Sequence, residues 1–216
     1  MKFNDNTISV LKNFSEINPS LLIKEGTVLR TISPQKTVMA KATLSDSFPS
    51  KAAVFDLSRF LATVSLVDNP DIVFETDRFV ISQNQTKIAY TFAAENMIVI
   101  PPEKDIEIPS VVAAVDVSHS VLSGVIRAAG VLSVSDIAFK SDGKNLTLSA
   151  VDNKNPNSDT FVQDLQNDEE LEEFNILIKV DNLKLLPGDY TISLSSAGIA
   201  HFKGKDVEYW IAAEAS

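Results

Sequence analysis

The chain has 216 residues, with 19 basic and 29 acidic side chains, which gives a formal net charge of −10. Hydrophobic residues make up 44% and charged residues 22%, so the composition excludes disordered and fibrous proteins and favours a chain that buries a core. Because there is no cysteine, a disulfide framework, a thiolate metal site and a thiol nucleophile are excluded as well.

The sequence and its net charge also indicate the compartment and the extent of any nucleic-acid-binding surface. Residues 1–6 lack the apolar core of a signal peptide, and no stretch approaches the ~20 apolar residues of a membrane-spanning helix. We therefore expect a cytoplasmic protein that is neither secreted by that route nor embedded in a membrane. An isoelectric point near 4.7 argues against a protein that coats nucleic acid with its whole surface, although a local basic face remains possible.

Three short segments of the first half recur in the same order in the second half, which indicates an internal duplication. The matching pairs are residues 9–11 with 120–122, 55–61 with 180–186, and 90–95 with 209–214. The duplication predicts two similar domains, residues 1–95 and 111–216, joined by a connector at residues 96–110.

The first helix of each domain is predicted from apolar residues at helical spacing. In the first domain Asn6 or Thr7 is the expected N-cap. The inward residues are Ile8, Leu11, Phe14 and Ile17, and the outward residues are Ser9, Lys12, Asn13 and Glu16. In the second domain we expect Ser118 to cap a helix that ends at Gly130 and leaves Arg127 outward. Its apolar face consists of Val121, Leu122, Val125, Ile126 and Ala129.

A second, shorter helix is predicted in each domain. Asp56 caps the first of these, whose buried stripe is Leu57, Phe60, Leu61 and Val64, with Arg59 on the far side. Asp181 is the expected cap of its counterpart, which the Pro187-Gly188 pair stops almost at once.

Alternating apolar residues and turn signals predict the strands. One hairpin is expected around Glu25-Gly26, and a stronger one around Asp142-Gly143, where Ile137, Phe139, Leu146 and Leu148 alternate. Further strands are predicted at residues 72–75, 79–82, 87–93, 190–194, 199–202 and 207–212. The expected fold is α+β, with two similar domains of mostly antiparallel sheet and two helices each.

The connector contains Pro101, Pro102 and Pro109, which favour an extended segment. Four consecutive apolar residues, 97–100, are unusual in a connector. They are compatible with an edge strand packed on the sheet, or with a strap that walls a groove for a partner peptide.

No catalytic motif is present: the chain has no phosphate-binding glycine loop, no G-x-S-x-G and no H-E-x-x-H. His119 and His201 lack a metal-ligand partner at local spacing and are expected to be structural or surface residues. The acidic stretch at residues 164–173 lacks the alternation of a calcium loop and is expected to be solvated. We therefore expect no catalytic residues, no metal and no cofactor.

Four basic residues lie on the outward side of the four predicted helices: Lys12, Arg59, Arg127 and Lys184. Lysine and arginine usually face water, so this placement gains meaning only if all four helices line one surface. In that arrangement an acidic protein would carry one cationic face, which attracts phosphate without reading bases.

Three stretches, residues 8–17, 54–66 and 186–215, make the chain similar to the DNA polymerase sliding clamps of T-even-type bacteriophages. The resemblance spans nearly the whole chain and is weakest in the acidic loop, residues 153–173. It implies a non-enzymatic head-to-tail homotrimer, a closed ring around double-stranded DNA that tethers the replicative polymerase in the infected bacterial cytoplasm. Lys12, Arg59, Arg127 and Lys184 would then face the phosphates, and a separate ATPase would load the ring.

The resemblance also implies an apolar pocket beneath the connector for the C-terminal peptide of the polymerase. Carried over by position, its residues are Met97, Ile98 and Ile100 of the connector, Val38 and Ala40 of the first domain, and Tyr190, Tyr209 and Ile211 of the second.

Two hypotheses that assign the chain to other classes of protein remain open. A duplicated β-rich chain also suits a structural assembly protein of a phage particle, in which residues 97–100 would be subunit contacts. An enzyme reading would place a cation-dependent site at residues 164–173.

Overall fold

The computed structural model describes residues 1–155, 157–166 and 171–215. The chain divides into two compact units, Met1–Glu103 and Lys104–Ser216. Each unit contains α-helix and β-sheet. Every strand pair whose register is described is antiparallel. The predicted α+β class with mostly antiparallel sheet is therefore confirmed.

Unit 1, which is described throughout, contains two helices and seven strands. In chain order they are α1 (Asp5–Ile17), β1 (Leu21–Ile23), β2 (Gly26–Ile32), β3 (Val38–Phe48), β4 (Ala52–Val54), α2 (Leu57–Val64), β5 (Asp71–Phe74), β6 (Arg78–Gln83) and β7 (Thr86–Thr91), followed by a 3₁₀ turn at Glu95–Met97. Strand β1 pairs with β4, β2 pairs with β3, and β5, β6 and β7 form a three-stranded meander. The strands expected at 72–75, 79–82 and 87–93 are present.

The beginning of α1 differs from the prediction, because Asn4 and not Asn6 or Thr7 is the N-cap. Asn4 Oδ1 accepts a hydrogen bond from the Thr7 amide at 2.8 Å, and Asp46 on β3 accepts from the Asn4 amide at 2.9 Å and the Thr7 hydroxyl at 2.8 Å. This contact with β3 turns Thr7 into the interior. Asn13, expected outside, is buried too, while the predicted core residue Ile8 is partly exposed.

Helix α2 begins as the sequence predicts, since Asp56 Oδ1 accepts a hydrogen bond from the Arg59 amide at 2.8 Å. Leu57, Phe60 and Val64 are buried below it. The ring of Phe60 lies 4.6 Å from that of Phe79 on β6, so the helix is anchored to the meander by aromatic packing.

The turn at Glu25-Gly26 does not join a hairpin. Gly26 adopts a φ of +106°, which glycine tolerates, and the chain then runs into β2, whose hydrogen-bonded partner is β3. Strand β1 is buried along its whole length and pairs with β4 instead.

The described part of unit 2 contains one α-helix and nine strands. They are β8 (Val111–Val117), α3 (His119–Leu132), β9 (Asp136–Ser141), β10 (Leu146–Val151), β11 (Phe161–Leu165), β12 (Phe174–Lys179), β13 (Tyr190–Ser195), β14 (Ile199–Lys203), β15 (Val207–Ala212) and β16 (Glu214–Ala215). One sheet has the order β11-β10-β9-β12-β16, and β8, β13, β14 and β15 are neighbours in another. The strands expected at 190–194, 199–202 and 207–212 are confirmed.

The hairpin predicted around Asp142-Gly143 is present as β9 and β10. Asp142 Oδ1 accepts hydrogen bonds from the Asn145 amide at 2.7 Å and the Lys144 amide at 3.0 Å, which lower the pKa of Asp142 to about 2. Gly143 supplies the positive φ, +90°, that the turn requires.

Two predictions about the helices of unit 2 are wrong. Ser118 caps α3 as expected, but the helix passes through Gly130 to Leu132 and ends at Ser133, which takes the left-handed conformation. The fourth helix is absent from the described residues: Val180–Asn182 form a single 3₁₀ turn. Pro187 follows so soon that too few residues remain for a stable α-helical turn.

Candidate nucleic-acid interface and partner-binding connector

Three of the four cations proposed to meet nucleic acid lie on exposed helix faces. Lys12 lies on α1, Arg59 on α2 and Arg127 on α3, and all three are exposed to solvent. Each helix buries the opposite side, as α1 does with Leu11 and Phe14. Amphipathic packing therefore fixes which way these side chains point.

The fourth cation, Lys184, is also exposed, but it is not on a helix. It follows the 3₁₀ turn and the buried residue Leu183. The expectation that four helices each present one cation is therefore wrong for this position.

The helices differ from the rest of the chain in charge. Together α1, α2 and α3 carry three basic side chains and two acidic ones, a net charge of +1, in a chain whose total is −10. The excess acid therefore lies outside these three helices. Their exposed faces are less acidic than the rest of the chain, which favours contact with phosphate.

The helix pair of unit 1 encloses a groove of about 390 Å³ beside Lys12. Its apolar walls include Phe3, Ile8, Leu61 and Val64. Helices α1 and α2 pack against each other, so Lys12 and Arg59 lie on neighbouring helices.

The apolar stretch of the connector is exposed and is not an edge strand. After the 3₁₀ turn, residues 98–110 contain no helix or strand. Met97 is 61% and Ile100 43% exposed, and Ile98 is half-buried. Lys51 Nζ lies 2.5 Å from Glu95 Oε1, and the Val99 amide donates to Ser20 Oγ at 3.4 Å. These contacts hold the beginning of the connector against the rest of unit 1.

The other residues proposed for the partner pocket are buried. They are Val38, Ala40, Tyr190, Tyr209 and Ile211. In unit 2 the Leu186 amide donates to Tyr209 Oη at 3.0 Å, and Tyr190 Oη donates to the Leu186 carbonyl at 2.6 Å. Burial raises the pKa of Tyr190 to about 12, so the phenol stays neutral. The side chains accessible to a peptide are therefore those of the connector.

The described residues contain no group of three or more histidine, aspartate or glutamate side chains that could hold a metal ion. His201 Nε2 lies 2.9 Å from Glu208 Oε2, and its ring stacks on Trp210 at 4.8 Å. Burial lowers the pKa of His201 despite that carboxylate. In the acidic loop, Asp164 lies on β11, whereas Asp168, Glu169 and Glu170 lie outside the described residues.

Among the described residues, no helix combines the length and apolarity that crossing a membrane requires.

Comparison with solved structures defines the fold. A structure of the C-terminal region of FEN-1 bound to A. fulgidus PCNA matches with a TM-score of 0.71 and 15% identity, covering 96% of this chain and 94% of the other. PCNA from Thermococcus kodakaraensis matches with a TM-score of 0.71 and 18% identity over 99% of both chains. The fold is that of the DNA sliding clamps.

Sequence comparison identifies the protein family. The family model "DNA polymerase processivity factor" matches residues 4–100, and "gp45 sliding clamp, C terminal" matches residues 114–215. The sliding clamp of Vibrio phage KVP40 is 34% identical over the full length of both chains, and those of Escherichia phage RB69 and Enterobacteria phage T4 are 30% and 28% identical over this whole chain and 97% of theirs.

The chain belongs to the sliding clamp family of T4-type phages, and it is a DNA polymerase processivity factor. The reading as a particle assembly protein finds no support in these comparisons, and a processivity factor works with DNA and a DNA polymerase.

Proposed function

We propose that three copies of this chain assemble head to tail into a closed ring around double-stranded DNA and tether the replicative polymerase without catalysing a reaction themselves. The observation that carries the proposal is the near-neutral, slightly basic set of helices in a strongly acidic clamp-fold chain. Two similar domains per chain, 1–95 and 111–216 with the connector at 96–110, would give six in the ring.

The charge separation suits a sliding contact. Lys12, Arg59, Arg127 and Lys184 act on phosphates only at short range, since the Debye length is about 8 Å at physiological ionic strength. Phosphate contacts carry no sequence information, so the ring holds DNA without stopping at a particular site. The acid elsewhere disfavours binding of DNA to the outside.

Two strand edges support assembly between copies. Strand β7 ends the meander of unit 1, and β11 ends the five-stranded sheet of unit 2; within the described residues neither has a partner on its outer side. On β11, Phe161 and Val162 are exposed. Pairing of β7 from one copy with β11 from the next is a heterologous contact, which closes into a ring when the rotation is right.

The proposed polymerase site is the apolar stretch of the connector with Met97, Ile98 and Ile100, whereas the buried residues Val38, Ala40, Tyr190, Tyr209 and Ile211 offer a peptide no accessible side chain. Exposed apolar residues on an extended strap are suited to docking a peptide. The FEN-1 complex offers a parallel, since a C-terminal region is bound to that clamp. A separate ATPase loader would open the ring, and the work would take place in the cytoplasm of the infected bacterium.

The test is retention on DNA of two topologies. Purified clamp, loaded by the phage loader onto nicked circular plasmid, should stay bound through gel filtration and should be lost when the plasmid is linearised. A closed ring leaves only over an end, whereas a protein held by contacts alone would leave both substrates at the same rate. Equal loss from circular and linear DNA would rule out encirclement.

A further inference from the structure

A second pocket lies in unit 1, between β2 and the later part of the connector. It has a volume of about 240 Å³, smaller than the roughly 300–1,000 Å³ of drug-sized ligand sites. Its lining is Leu22, Lys24, Glu25, Val28, Arg30, Ile100, Pro101, Pro102 and Glu103. Apart from Ile100, none of these residues belongs to the proposed polymerase pocket.

The pocket combines an apolar wall with two cations that act on one carboxylate. Leu22, Val28 and the two prolines supply the wall. Lys24 Nζ lies 2.6 Å from Glu103 Oε1, and the hydrogen bond and charge of Lys24, with a further contribution from Arg30, lower the pKa of Glu103. Lys24 therefore holds a single carboxylate, which the connector itself supplies, and Arg30 lines the same pocket.

Glu103 is an exchangeable occupant of that position. Its side chain is 82% exposed and that of Lys24 is 46% exposed, and ion pairs this open to solvent contribute little to stability. An external carboxylate that also places an apolar side chain against Leu22 and Val28 would gain contacts that Glu103 lacks. The connector thus resembles a weak intramolecular ligand in the site.

We propose that this pocket binds the terminal α-carboxylate of the polymerase tail, which displaces Glu103 from Lys24 while the last apolar side chain packs on Leu22 and Val28. The small volume favours a chain end over a segment that passes through. The inference rests on the proposed function, because it extends the polymerase site along the connector beyond Ile100. It adds a charged anchor to a contact that is otherwise apolar.

The experiment measures binding of the C-terminal peptide of the phage's own polymerase to the full-length clamp by fluorescence anisotropy. One peptide has a free C-terminus and the other ends in an amide. We expect the amide to bind about tenfold more weakly. Glu103→Gln should strengthen binding of the free-acid peptide about threefold, and Lys24→Met should reduce it to the level of the amide.

Lys51→Met is the matched control, because it removes a different exposed ion pair, that with Glu95 just before the connector, and Lys51 does not line the pocket. Equal affinity of the two peptides, with no effect of Glu103→Gln, would overturn the inference and leave the polymerase site standing. If the amide peptide binds through its acidic side chains, the inference is overturned as well, because the carboxylate in the pocket then comes from a side chain and not from the chain end. If neither peptide binds, both the proposed polymerase site and this inference are wrong.

Discussion

Asp136 on β9 is a fully buried acid that is paired with a lysine and a serine. Asp136 Oδ1 lies 2.6 Å from Lys179 Nζ, and Oδ2 accepts from Ser135 Oγ at 2.6 Å. Burial alone would raise the pKa of Asp136, but the hydrogen bonds from Lys179 and Ser135 outweigh it and the pKa lies below its ordinary value. The hydrogen bond to Asp136 in turn raises the pKa of Lys179.

These two shifts set a pH window. The lowered carboxyl pKa contributes stability above the unfolded value, about 3.9, and this is lost as pH falls through the folded pKa. The raised lysine pKa contributes stability that is complete below the unfolded value, about 10.4, and is lost as pH rises through the folded pKa. The pair therefore stabilises unit 2 across the neutral range.

We predict that Lys179→Met lowers the free energy of unfolding by about 2 kcal/mol at pH 7, since it leaves a buried carboxylate unpaired. The value is below that of a fully buried pair because Lys179 is 39% exposed. Urea denaturation should show a smaller difference at acid pH, once the pH falls through the lowered folded pKa of Asp136. Lys140→Met, at an exposed position of β9, is the control; a destabilisation that is equal at both pH values would contradict the assignment.

At the scale of elements, the first turn of α1 depends on Asn4 and its contact with Asp46. Asn4→Ala should lower the free energy of unfolding by about 1–2 kcal/mol, because it removes the N-cap and one partner of the Asp46 carboxylate. The exposed Asn6, the cap expected from sequence, is the matched control, and Asn6→Ala should change stability little. Urea denaturation of both variants checks this; a larger destabilisation by Asn6→Ala would refute the observed cap.

The elements predicted correctly are those defined by local chemistry. Asp56 and Ser118 cap their helices, and Asp142-Gly143 forms its turn, because a side chain and the amides two or three residues further on are enough to specify these structures. Sequence reasoning misses Asn4 because its role depends on Asp46, 42 residues away. Only tertiary contact distinguishes it from Asn6.

Two errors in the sheets of unit 1 have the same origin. The sequence does not predict strand β3 although it is 11 residues long, and it places β1 in a hairpin although its partner is β4. In both cases the pairing depends on tertiary structure that local turn signals do not specify. Helical spacing identifies the cations on α1, α2 and α3, whereas the exposure of Met97 and Ile100 and the pocket at Lys24 depend on the course of the connector.

At the scale of the whole molecule, the charge pattern predicts how retention depends on salt. Replacing Lys12, Arg59 and Arg127 together by alanine should shorten the lifetime on circular DNA and flatten its salt dependence, by about 0.9 log unit per log unit of salt for each phosphate that is no longer neutralised. The control replaces three exposed lysines outside the helices, Lys36, Lys140 and Lys144, which gives the same change in net charge. Equal effects of the two triple variants would show that net charge, and not the helical face, governs retention.

Ring closure predicts that a single edge strand controls assembly. Val162 on β11 is 58% exposed at an edge without a described partner, so Val162→Asp places a charge where an apolar contact with the next copy is proposed. Sedimentation should show monomers in place of trimers, and the variant should be released from circular DNA as fast as from linear DNA. Met97→Asp alters a residue of similar exposure on the connector, and it should remain trimeric while losing stimulation of the polymerase. Assembly and polymerase contact are thereby separated, and a trimeric Val162→Asp would move the subunit interface away from β11.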